Sequence, residues 1–144
     1  GTPVTETVAI LVSNADGPNQ GGLDLDGGTS VPSASTDAEL RDLGIDLNQN
    51  PANNWIQKVE PVNGAELRIP DASQPEGFKY ENITSTEAIQ AAFDAGTSVT
   101  LSDKLEVGDV ILVSSNGNTW ILQVAVVNVT EADNTDSYEF NVKG

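Results

Sequence analysis

Hydrophobic and polar positions alternate through much of this chain, and a period of two predicts strands rather than helices. Across residues 4–13, Val4, Val8, Ile10 and Val12 share one parity, with Thr5, Thr7 and Ala9 on the other. The run ends at Asn14-Ala15-Asp16-Gly17-Pro18, a dense turn sequence. Residues 14–37 are polar and glycine-rich and read as loop, broken by one short alternating piece, Leu23-Asp24-Leu25-Asp26, expected as an edge strand. Residues 36–44 admit two readings. Thr36-Asp37-Ala38-Glu39 fits a capping box with Gly44 as the stop of a short helix, which local signals slightly favour. Ala38, Leu40 and Asp42 against Glu39, Arg41 and Leu43 fit a half-buried strand instead.

Residues 55–62 and 65–69 flank Asn63-Gly64, a dipeptide suited to the type I′ turn of a hairpin. Pro61 then belongs on an edge or at a bulge, because it has no N–H for a ladder. Thr84-Ser85-Thr86-Glu87 reads as a capping box, followed by an apolar stripe at Ala88, Ile89, Ala92 and Phe93 and a stop at Gly96. This spacing predicts a helix at about 85–95. Strands follow at residues 99–101 and 110–114, then a turn at Asn116-Gly117-Asn118. Trp120, Leu122, Val124 and Val126 alternate with Ile121, Gln123, Ala125 and Val127, so both faces are largely apolar and the strand is expected centrally. Tyr138, Phe140 and Val142 make the last strand. Strands outnumber helices, which makes residues 1–144 a single mainly-β domain, sandwich-like, with one short helix.

Charge changes the picture more than size does. Among 144 residues, 22 acidic and 6 basic side chains give a formal net charge of −16. Such a surface repels nucleic acid and anionic lipid, and attracts cations and basic partners. The chain has no Cys, His or Met. Disulfides, thiol catalysis, Cys/His zinc and the usual near-neutral proton shuttle are therefore excluded. Haem ligation by His, Met or Cys goes with them. No apolar run approaches the roughly 18 to 20 residues of a membrane helix, so no direct membrane insertion is expected. The first residue is Gly rather than Met, which reads as a trimmed or processed product, either a scar of tag removal or the remainder after an upstream signal peptide or lipid anchor is cut away.

Few groups remain that carry chemistry. Ser102-Asp103-Lys104 is the nearest approach to a hydroxyl with a lysine base, yet it precedes a strand and lacks the Ser-x-x-Lys spacing of a helix-borne pair. Carboxylates are abundant enough for a glycoside-hydrolase pair to arise by chance, and the bland alternative is surface charge. Calcium is the better chemical hypothesis. Asn14-x-Asp16-Gly17 and Asp24-x-Asp26-Gly27 each set two side-chain oxygens beside a glycine turn, without the spacing of an EF-hand. Asp and Asn also populate turns for local hydrogen bonding, so Asn14, Asp16, Asp24 and Asp26 carry both readings. Trp120 reads as core. Trp55, after a polar loop, and Tyr80, within a long connection, are the candidates for an exposed ligand platform. Asn82-Ile83-Thr84 and Asn128-Val129-Thr130 match the N-glycosylation pattern, which is silent in a bacterial protein.

Leu105-Glu106-Val107-Gly108-Asp109-Val110-Ile111-Leu112-Val113, the Asn116-Gly117-Asn118 turn and Trp120-Ile121-Leu122-Gln123-Val124 resemble a C-terminal pattern of Bacteroidetes surface lipoproteins, including the HmuY-like haem-binding proteins. Residues 22–29, Gly-Leu-Asp-Leu-Asp-Gly-Gly-Thr, are similar to the early strand of those families. The resemblance covers about a quarter of the chain. It implies a secreted or outer-surface β-sandwich, lipid-anchored upstream, and a strand at residues 38–43. Those carriers hold haem iron with paired His, and relatives use Met. This chain has neither, so that ligation does not carry over.

The expected function is a non-catalytic, extracytoplasmic binding module for a glycan, a peptide or a small ligand. The alternatives are a structural or adhesion domain that meets a cell-surface protein and, more weakly, a carboxylate glycoside hydrolase. No cofactor is expected beyond a structural Ca²⁺.

Overall fold

The computed structural model describes residues 1–71, 73 and 79–144. Within them, strands form two antiparallel sheets. The larger contains β1 (Glu6–Ser13), β6 (Glu66–Ile69), β7 (Thr97–Val99), β8 (Val110–Ser115), β9 (Asn118–Asn128) and β10 (Ser137–Lys143), ordered β1-β10-β9-β8-β6-β7. The smaller contains β2 (Gly22–Asp24), β3 (Thr29–Val31), β4 (Leu40–Asp42) and β5 (Val59–Pro61), ordered β3-β2-β4-β5. The sheets face each other across one apolar layer, and helix α1 (Thr86–Ala95) covers part of the outer face of the larger sheet. This is the β-sandwich with a single α-helix that the alternation predicts.

The two faces of β8 and β9 are apolar because each meets a different layer. Ile111, Val113, Trp120, Leu122 and Val124 point between the sheets, with Leu23, Leu40, Val59, Tyr138 and Phe140. Leu112 and Ile121 point outward, beneath Ile89, Ala92 and Phe93 of α1. Each such buried side chain contributes about 1.5 to 3 kcal/mol of transfer free energy. The central placement expected of β9 follows from this double coverage.

The parity of β1 does not run through the whole strand. Thr7 pairs with Val142 but Ile10 with Phe140, so β1 carries one extra residue, and Ala9 sits at φ 56°. The Ala9 amide, turned out of the ladder, donates to Asn141 Oδ1 at 3.0 Å. This bulge reverses the faces. Val4 packs toward the helix layer, Ile10 and Val12 enter the inter-sheet core, and Val8 is left 60% exposed.

Four local expectations need correction. Residues 40–42 are strand, as the resemblance implies, because Leu40 pairs with both Leu23 and Pro61 and is fully buried. Glu39 does not cap a helix; its carboxylate accepts the Leu25 N–H at 2.6 Å. The piece at Leu23 is an interior strand, flanked by β3 and β4, not an edge. Asn63 and Gly64 do take the left-handed φ values of a type I′ turn, 57° and 84°, but no hairpin forms. β5 and β6 lie in different sheets, and the turn carries the chain from one to the other. Asn63 Nδ2 fixes the crossing by donating to Ser35 O at 3.0 Å and Ala38 O at 2.8 Å. Pro61 lies on the edge strand β5, where its missing N–H costs nothing.

Helix α1 begins one residue later than the capping box predicts. Ser85 is the N-cap, accepting the Ala88 N–H at 3.2 Å. Glu87 turns instead to the N-terminal arm and accepts the Thr2 N–H at 2.7 Å. Gly96 ends the helix in an extended conformation rather than a left-handed one; a Cβ there would lie 3.0 Å from Ile69 O.

Candidate functional site

Neither predicted aromatic is a platform. Trp55 is buried against Tyr138, with ring centroids 4.6 Å apart, and its indole N–H donates to Asp42 at 3.1 Å. Tyr80 is buried as well, its hydroxyl donating to Glu6 Oε2 at 2.7 Å. The Lys143 ammonium lies 4.3 Å from the centre of the Tyr80 ring and donates to Tyr80 O and Ile83 O. Burial with these partners pushes both tyrosine hydroxyls, Tyr80 and Tyr138, well above the ordinary phenol value. The polar sequence around Trp55 and Tyr80 reflects the loops they arrive from, not the layer they enter.

Asp42 is the residue this burial depends on. Its carboxylate accepts from Ala15 N, Gly44 N, Trp55 Nε1 and Tyr138 Oη, at 2.8 to 3.1 Å. Removal from water raises its pKa above the ordinary 3.8, and those four donors oppose the rise. Its shared parity with Ala38 and Leu40 was the signal that it faces inward.

The proposed calcium ligands separate into two groups. Asn14 is fully buried and fully used: Nδ2 donates to Asp136 Oδ1 at 3.0 Å and Oδ1 accepts the Asp16 N–H at 3.0 Å. Asp16 Oδ2 accepts the Ile45 N–H at 2.7 Å. These are turn and loop bonds, so the turn reading applies to Asn14 and Asp16. Asp24 and Asp26 behave differently. They meet Glu39, and one oxygen from each of the three lies within 4.8 Å of the others. Glu39 was not foreseen; the register of Leu23 with Leu40 brings it beside the β2 carboxylates. Burial, with Asp26 and Asp24 close by, raises the Glu39 pKa above 4.5 against the lowering bond from Leu25. Calcium takes six to eight oxygens, which carboxylates, backbone carbonyls and water supply together.

Of the three, Asp26 lines a trough at one mouth of the sandwich, and Glu39 lies buried behind it. A hollow of about 220 Å³ is floored by Ile10, Leu25, Trp120 and Val142 and rimmed by Thr5, Thr7, Asp26 and Gly28. A wider one of about 590 Å³ continues past Leu25, Asp26 and Trp120 to Thr86, Glu87, Gln90, Asn118 and Thr119. Gly144 packs on the Trp120 ring, where a Cβ would come within 2.5 Å. Apolar floor and polar rim are the chemistry of a binding surface.

Ser102 and Lys104 are engaged separately. Ser102 is buried, its hydroxyl accepting the Val59 N–H and donating to Asp103 O, while Lys104 pairs with Glu106 at 3.9 Å. Asp24 ends β2, Asp26 lies in the turn that follows and Glu39 directly precedes β4, with one oxygen of each within 4.8 Å of the others. Comparison with protein-family models, with curated proteins and with solved structures finds no match.

Proposed function

We propose that this chain is a non-catalytic, extracytoplasmic binding module, and that the trough between β1 and the β2–β3 turn receives its ligand. The observation that carries this reading is the trough itself: a concave strip with Ile10, Leu25, Trp120 and Val142 as its floor and hydroxyls, amides and carboxylates as its rim. The lining offers hydrogen bonds and apolar contact to a glycan, a peptide or a small ligand. The C-terminal resemblance to surface lipoproteins supports a location outside the cytoplasm.

The structural or adhesion reading draws support from a different place. Trp55 and Tyr80 are buried, while Leu11 and Val126 flank Glu139 on the outer face of the larger sheet and are 47% and 39% exposed. One experiment separates the two. A thermal-shift screen against glycans, short peptides and calcium, followed by amide-shift mapping of any hit, is expected to move Thr7, Gly28 and Thr119. Stabilisation by mass action accompanies true binding. Shifts confined to Leu11, Glu139 and Val126 on addition of a surface protein would support adhesion instead.

A further inference from the structure

Building on the trough reading, we propose that the occupant is a peptide in extended form whose lysine or arginine side chain reaches Asp26, the trough-lining member of the carboxylate cluster that Asp24 and Glu39 complete. Charge selects the side chain. No residue lining either hollow is basic, whereas Asp26 and Glu87 are both there. The ion pairs of the described residues, Arg41–Glu60, Arg68–Glu66 and Lys104–Glu106, leave the three clustered carboxylates out. An ammonium or guanidinium at Asp26 offsets the repulsion within the cluster and supplies several donors at once. An anionic ligand meets the negative charge of Asp26 and Glu87 in the lining.

The backbone selects the peptide. Among the described residues, β1 is the edge of the larger sheet and pairs with β10 alone. Thr5 and Gly144 exchange both backbone bonds, at 2.8 and 3.0 Å. Antiparallel alternation then turns the N–H and C=O of Glu6 away from β10, to the open edge. Residues 5–9 are exposed, unlike the buried Ile10 that follows. The bulge at Ala9 closes this edge to a long strand and leaves room for a short one. Strand addition beside Thr5–Val8 thus brings a side chain of the added segment over Asp26.

The test uses the whole chain, isotope-labelled, with the capped peptide Thr-Val-Lys-Val-Thr, its Lys→Gln counterpart and a neutral glycan panel. The basic peptide is expected to shift the amides of Glu6, Thr7, Asp26 and Gly28. Its affinity is expected to fall about fivefold to tenfold in Asp26→Asn and in Glu39→Gln. Glu131→Gln, a charge removed away from the trough, is expected to leave it unchanged. Equal binding of the Lys→Gln peptide, or preferential binding of a glycan at the same amides, defeats the cationic assignment while the trough reading survives. Equal weakening by Glu131→Gln also defeats it, because the attraction then comes from the overall charge of −16. Trough amides unmoved by every probe defeat both readings.

Discussion

At the scale of single residues, Asp42 decides more than any predicted site residue. A buried carboxylate with four donors is stable only while all of them converge on it. Asp42→Ala leaves the Trp55 and Tyr138 donors facing each other across a void. The expected loss is about 3 to 5 kcal/mol in denaturant unfolding. A loss below about 1 kcal/mol would mean that water replaces the carboxylate, and that the network is not what holds Trp55 inside. Glu39→Gln is expected to act in the opposite direction. Gln keeps a carbonyl oxygen for the Leu25 N–H and removes a desolvated charge from beside Asp24 and Asp26. At pH near 7 its melting temperature is expected to rise by about 2 to 4 °C, as for a gain of roughly 1 kcal/mol. A fall would show that the carboxylate is needed, as it is when a cation is held there.

Elements follow the same logic one level up. Asn63-Gly64 and Asn116-Gly117 are the same dipeptide with the same left-handed φ values, yet one crosses between sheets and the other closes a hairpin in which Ser115 pairs with Asn118. The difference lies in the side chain, not the backbone. Asn63→Gly keeps the φ preference and loses two hydrogen bonds to Ser35 and Ala38. It is expected to cost about 1 to 2 kcal/mol. Asn116→Gly, at an exposed tip, is expected to stay within about 0.5 kcal/mol of the parent. Equal costs in chemical unfolding would mean that the crossing turn is fixed by its backbone alone.

This pair also marks the limit of what the sequence made legible. Alternation located the strands of the larger sheet, and the apolar stripe located α1, because both signals are local. Which sheet β5 and β6 join depends on Leu40 and Asn63 meeting partners more than ten residues away. The inward face of β4 was visible in the shared parity of Ala38, Leu40 and Asp42, although a capping-box pattern competed with it. The carboxylate pair Asp24 and Asp26 was visible. Their third partner, Glu39, was not, since it arrives through strand register. The expected exposure of Trp55 and Tyr80 failed for the same reason: their hydrogen-bond partners, Asp42 and Glu6, lie far off in the chain.

Across the whole molecule, the carboxyls divide by the sign of their pKa changes, and the division predicts how stability responds to pH. Glu39 and Asp42 are raised from 4.5 and 3.8, chiefly by burial. A raised carboxyl binds its proton more tightly in the folded state. Its contribution is fully present below the unfolded value and is lost as pH climbs through the folded one. Glu87 and Asp133 are lowered, Glu87 mainly by the Thr2 N–H and Asp133 mainly by the Thr130 hydroxyl. Theirs is present above 4.5 and 3.8 respectively and is lost as pH falls through their lowered values. The two exposed groups are weakly coupled to stability because solvent screens them, so the buried pair governs the slope just above the ordinary carboxyl range. Acidification in that range also relieves the repulsion of a chain at −16. The melting temperature is therefore expected to rise as pH falls from about 7 to about 5 and to drop only at lower pH. Glu39→Gln should flatten the rising limb, since one of the two carboxyls with raised pKa no longer titrates. Melting curves at constant ionic strength check both points. A parent protein that loses stability steadily from neutral pH downward would show instead that the donors around Glu39 and Asp42 outweigh their burial and hold both as stabilised anions.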